Sequence, residues 1–138
     1  MRARSPATNP SSPPSRSRLE ARDLGIRAER AAQEHLLRQG FEILGANLRV
    51  GRYEIDLLAR DRSVIVVVEV RARGPGSLVR PLDTVDARKR ARLRAAAGRL
   101  WRDRFSKDLR VERVRFDCVA VTIDAAGGAH IEHVRAAF

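Results

Sequence analysis

Three acids and a base fall within eighteen residues of this chain: Glu54, Asp56, Glu69 and Arg71. Their surroundings are apolar, Tyr53-Glu-Ile-Asp-Leu-Leu-Ala59 before a short polar break and Val64-Ile-Val-Val-Val-Glu-Val-Arg71 after it. Acids set in apolar strands are costly unless paired, hydrogen-bonded or bound to a cation. The two runs predict neighbouring strands of a hairpin. Strand side chains alternate faces, so Glu54 and Asp56 share one face, as do Glu69 and Arg71. With the turn centred between Arg62 and Ser63, Asp56 falls opposite Glu69 and Glu54 opposite Arg71. Two carboxylates so placed, with β-carbons about 5 Å apart, repel each other. A hard divalent cation such as Mg²⁺, which prefers carboxylate and water oxygens, would relieve that repulsion. The same residues also fit a surface ladder of ion pairs, with Glu54–Arg71 its best rung. The β-branched run Val64–Val68 argues against the ladder, because it suggests a central strand covered on both faces.

The chain that must position these groups has 138 residues, enough for one domain. Its 28 basic residues outweigh 17 acidic ones, giving a net charge of +11. All the bases are arginine except Lys89 and Lys107. Such an excess favours a polyanionic partner, most often nucleic acid. Competing readings are an arginine bias without function and, more weakly, an anionic membrane. Cys118 is the only cysteine, so no disulfide can form within the chain, which fits a reducing cytoplasm. It reads as a buried inert thiol. No apolar run is long enough to span a bilayer, and the basic N-terminus lacks the apolar segment of a secretory signal.

Residues 1–18 hold Pro6, Pro10, Pro13 and Pro14 among serines and arginines, which predicts a disordered basic tail before a single domain over 19–138. A helix is expected from about Arg22 to Gln39, stopped by Gly40. A strand follows over Phe41–Val50, with Gly45 a candidate bulge. After the hairpin strands come a loop at Gly74–Ser77 and a second helix, capped by Asp83 or Thr84 and running to about Phe105. Arg113–Ile123 reads as a strand, Asp124–Gly128 as a turn and Ala129–Val134 as an edge strand. The order predicts an α/β fold, a small mixed sheet flanked by helices. Trp101 reads as core. Asp117 falls on the face opposite Phe116 and Cys118 and reads as structural. His35, His130 and His133 offer no metal-ligand spacing. Arg88-Lys-Arg-Ala-Arg-Leu-Arg94, five bases in seven positions, fits a solvated helix face but is dense enough in positive charge to form a phosphate-backbone surface.

An α-β-β-β-α-β core with Asp56 on its second strand and Glu69-x-Arg71 on its third resembles the PD-(D/E)xK nuclease-like superfamily. More specifically, the chain resembles the YraN family, bacterial proteins similar to archaeal Holliday junction resolvases. The matching residues are Leu24-Gly-Ile-Arg-Ala-Glu29, Gly40-Phe-Glu-Ile-Leu-Gly-Ala-Asn47, Glu54-Ile-Asp-Leu-Leu-Ala59, Val68-Glu-Val-Arg71 with Arg73, Lys89, and Arg115-Phe-Asp-Cys-Val-Ala-Val121. The resemblance implies a restriction-endonuclease-like fold and a metal-dependent endonuclease acting on DNA. Asp56 and Glu69, with Glu29 on the first helix, would then hold Mg²⁺ or Mn²⁺. Arg71 stands where the superfamily has lysine; it keeps the charge but cannot give up a proton to act as base. Arg52-Tyr53 replaces the glycine usual before Glu-Ile-Asp. Arg73, Arg88, Lys89, Arg90 and Arg92 would grip phosphates, and a homodimer is implied by analogy with junction-cutting relatives. The alternative is a non-catalytic DNA- or RNA-binding module on the same fold. A protein that docks an acidic partner is a third case.

Overall fold

The Val64–Val68 run forms the middle of the sheet. The computed structural model describes residues 12–76 and 85–138. Within them helix α1 (Arg16–Arg38) precedes strands β1 (Glu42–Val50), β2 (Tyr53–Asp61) and β3 (Val64–Arg73). Helix α2 (Ala87–Leu100) follows, then β4 (Arg113–Ile123) and β5 (Ala129–Val134). The strands lie in the order β1-β2-β3-β4-β5. Every neighbouring pair is antiparallel except β3–β4, which is parallel and needs the crossover that carries α2. This is the expected mixed sheet flanked by helices.

Alternation along β3 divides the core in two. Val64, Val66 and Val68 pack with Val119 and Val121 of β4 under Ala28, Ala32 and Leu36 of α1. Ile65 and Val67 face the other way, with Leu58 of β2, against Leu93, Ala96 and Ala97 of α2. Covering both faces is what a run of β-branched residues without polar alternation requires. The hairpin register is the expected one: Asp61 pairs with Val64 across the Arg62-Ser63 turn, and pairing continues to Leu57 opposite Val68. The register shift between Ile43 and Gly45 places the bulge at the expected glycine.

Helix α1 begins earlier than its apolar periodicity suggests. Ser15 has an extended backbone and its side chain caps the Arg18 N–H, so residues 16–18 of the expected tail are helical. At the other end Gly40 N–H bonds Leu37 O and Phe41 N–H bonds Leu36 O. With Gly40 at φ +87°, this is a Schellman ending, which favours glycine. The expected cap of α2 at Asp83 or Thr84 lies outside the described residues; the observed cap is Asp86, whose side chain accepts the Lys89 N–H at 2.8 Å. The helix passes at Trp101–Phe105 into a wider turn, with Ser106 N–H bonded to Trp101 O. Trp101 packs against the α2-side core, as expected.

Asp117 is structural, as expected, and its setting is core. The face opposite Cys118 is also core, covered by α1, and Asp117 is fully buried there. Arg115 donates to both of its oxygens, at 2.8 and 2.9 Å, and His133 Nε2 lies 2.8 Å from Oδ2. Burial raises its pKa, but the His133, Arg115 and Ala136 hydrogen bonds outweigh that and hold the carboxyl at about 2. Nor do the C-terminal histidines lack acids: His133 pairs with Asp117 and His130 with Asp124. His35 of α1 meets His133 at 3.1 Å. None of this is a metal arrangement, since among the described residues no three acid, His or Cys side chains gather to hold an ion. No helix among the described residues is long and apolar enough to cross a membrane.

Candidate active site

The two hairpin acids meet where β2 and β3 part. Backbone pairing ends at Leu57 and Val68, and beyond it the Asp56 side chain takes over: Oδ2 accepts the Val70 N–H at 2.9 Å. A carboxylate thereby replaces a ladder carbonyl, which pins Asp56 beside β3. Glu69, on the α2 side of β3, is only 3% exposed. Burial first, and the charge of Asp56 second, raise its carboxyl from 4.5 to about 7, opposed by Lys89 and Arg71. The charge of Asp56 thus reaches Glu69.

Two cations answer Glu69. Lys89 reaches from the first turn of α2, with Nζ 3.1 Å from Oε1, while Arg71 Nε, two residues along the same strand, lies 3.6 Å from the same oxygen. The other oxygen, Oε2, is buried and has no hydrogen-bond partner among the described residues. A bare oxygen in an apolar setting costs roughly 1–3 kcal/mol unless something binds it. Lys89 was expected to contact phosphate along with its arginine neighbours; the fold pairs it with Glu69 and also sets it in the wall of the neighbouring cleft. Sequence distance hides that contact. The one available signal was compositional, a lysine inside a run of arginines.

The expected three-acid cage is not formed. Glu29 is half-buried on α1, and its Oε2 accepts from Asn47 Nδ2 at 3.2 Å. Asn47 stands on β1 at φ +49° and holds that carboxylate itself. The donor set is therefore two carboxylates. Mg²⁺ is often bound by one or two carboxylates with waters and substrate oxygens completing its shell, so two suffice. Asp56 and Glu69 fit such an ion, and the bare Oε2 is the atom that fits best.

Beside the acids a cleft of ≈ 640 Å³ opens between the β1–β2 turn and α2, lined by Arg52, Tyr53, Glu54, Lys89, Arg92 and Leu93. The tight turn that forms its lip needs Gly51, at φ +60°, where any side chain would also run into the Arg99 guanidinium. Arg52 lies over the Tyr53 ring, 5.3 Å from its centre, and donates to the Tyr53 hydroxyl. These two residues, noted in the sequence only for replacing a glycine, prove to be walls of the cleft. The basic helix divides by direction. Arg92 lines the cleft and Arg88 is exposed. Arg90 turns away to bond Val85 O and stack on Phe138. Arg73 donates to Ala72 O. Cys118, paired in register with Glu69, is buried with its thiol pushed up to about 11, which suits an inert side chain.

Comparison with known proteins gives these residues a lineage. Residues 28–121 match the model of the uncharacterised protein family UPF0102. A UPF0102 protein of Sorangium cellulosum is 56% identical over 117 residues, covering 85% of this chain and 81% of its own. One from Porphyromonas gingivalis is 39% identical over 117 residues, covering 84% of each chain. A third, from Beutenbergia cavernae, is 37% identical over 118 residues, covering 85% of this chain and 98% of its own.

Proposed function

We propose, starting from the fact that this chain belongs to the UPF0102 family, that it is a nuclease-like protein that cleaves DNA with a divalent metal ion. The observation that carries this reading is the pair Asp56 and Glu69, with the bare Glu69 Oε2, opening beside a basic cleft. Asp56 and Glu69 would hold Mg²⁺ or Mn²⁺. Such an ion, when bound, supplies a more acidic water and takes up charge on a phosphate oxygen. Arg52 and Arg92 line the cleft and would contact backbone phosphates, and Tyr53 offers a ring on which a base can stack. Arg71 is the planar cation nearest the acids; it offsets negative charge but cannot accept a proton. Val67 and Leu58 belong to the buried core on the same side of the sheet as Glu69.

A second reading, a binding module without turnover, is favoured by one observation: Lys89 and Arg71 both pair with Oε1 of Glu69 and so already offset the charge of that carboxylate. The two are separated by cleavage of supercoiled and four-way-junction DNA in Mg²⁺ and Mn²⁺, with Asp56→Asn beside the wild type. Asparagine keeps an acceptor for the Val70 N–H and removes the charge, so the fold is retained. We expect cleavage by the wild type and at least about a hundredfold loss in the variant. Equal cleavage by both proteins would remove the enzyme reading; salt-sensitive binding without cleavage would leave the module.

A further inference from the structure

Lys89 stands at the junction of the acid pair and the cleft, with two neighbours it cannot serve at once. Its ammonium touches Glu69 Oε1 at 3.1 Å, and its side chain is also part of the cleft wall. The lysine side chain is 37% exposed and the glutamate 3%, so the lysine is the partner with room to move. Its backbone is fixed by the Asp86 cap, while its four-carbon stem is flexible and its ammonium compact. Arg71 lacks that freedom: it sits on the same strand as Glu69, two residues on, and is more buried, at 21%. Lys89 and Arg71 both pair with Oε1 and leave Oε2 without a hydrogen bond, so a cation that takes both oxygens competes with Lys89.

We propose that Lys89 is a stand-in cation for Glu69: an incoming divalent ion displaces its ammonium, which turns into the cleft and binds a backbone phosphate of the nucleic acid. Lys89 thereby couples ion binding to strand binding. This rests on the two-acid reading above. The ion meets competition from the ammonium while the cleft is empty. Once a strand is bound, the ammonium has an alternative anionic partner and the competition falls away. By linkage, each ligand strengthens the other, and the released ammonium adds one phosphate contact.

The test is Mn²⁺ affinity, read as free Mn²⁺ by electron paramagnetic resonance, for wild type, Lys89→Met and Glu69→Gln. Each is measured with and without a short hydrolysis-resistant phosphorothioate oligonucleotide. Without oligonucleotide, Lys89→Met should bind Mn²⁺ about tenfold more tightly than wild type; with it, the gap should narrow to about threefold or less. Glu69→Gln should weaken Mn²⁺ binding in either condition. A merely structural ion pair would give no gain in Mn²⁺ affinity when broken. Equal or weaker binding by Lys89→Met, with Glu69→Gln still harmful, would overturn the role of Lys89 and leave the acid pair standing. A gap that persists with oligonucleotide present would overturn the coupling. Mn²⁺ binding indifferent to Glu69→Gln in every condition would remove the acid pair as well. Lys89→Gln serves as a second neutral variant should methionine disturb the helix.

Discussion

Burial, and then the charge of Asp56, lift the Glu69 carboxyl from 4.5 to about 7. The folded protein therefore keeps a proton that the unfolded chain gives up above about 4.5. Stability from this group falls as pH rises from about 4.5 to about 7, and then levels off. The full displacement corresponds to about 3 kcal/mol. Glu69→Gln keeps the volume and removes the ionisation. In urea titrations it should be more stable than wild type at pH 8, by up to about 3 kcal/mol, and nearly equal to it at pH 4. A difference of the same size at both pH values would contradict this account. The same ionisation governs ligation, since a carboxylate must lose its proton to bind metal, so ion affinity should climb through pH 7. Asp117 behaves in the opposite sense. Its carboxyl is held at about 2 against an ordinary 3.8, so its contribution is present above 3.8 and is lost as pH falls through 2.

The end of α1 turns on one backbone angle. Gly40 sits at φ +87° with open space around the missing β-carbon, so a substitution there meets conformational strain and no clash. Gly40→Ala should cost about 1 kcal/mol in chemical denaturation, with the site's metal affinity unchanged. This glycine, the Arg62-Ser63 turn and the bulge at Gly45 were legible in the sequence because each is a local event encoded by the residues that undergo it. The hairpin register was legible for the same reason as far as Leu57 opposite Val68; beyond that pair the Asp56 side chain, bonded to the Val70 N–H, follows no turn rule. What was hidden depends on packing between distant segments. Lys89 reads as one more base on a solvated helix until α2 is laid across the sheet. Asp117 reads as structural, but the helix α1 that buries it is not visible from its own strand. Glu29 fits a ligand by position but is held by Asn47, whose left-handed backbone no pattern announced. The early start of α1 was masked by composition, since the serines and arginines around Ser15 suit a tail as well as a cap.

A net charge of +11 surrounds this small acidic centre. Long-range attraction and local chemistry are thus assigned to different residues, and salt should separate them. Arg92 lines the cleft and takes no part in the acid pair. Arg92→Ala should weaken oligonucleotide binding evenly across sequences and reduce the slope of log affinity against log salt by about one, measured by fluorescence anisotropy. An unchanged slope would mean that phosphates pass elsewhere. Chain order has a different consequence. Asp56 and Glu69 belong to a hairpin closed by two residues, whereas Lys89 arrives on the long connection that leads to the parallel strand β4. Hairpins close in about 1–10 μs, and pairing across a long crossover is slower. During every refolding event the two anions therefore confront each other before their ammonium escort is in reach. Traces of Mg²⁺ should quicken that earliest step in rapid-mixing records, beyond what monovalent salt of equal ionic strength achieves, and Glu69→Gln should abolish the acceleration.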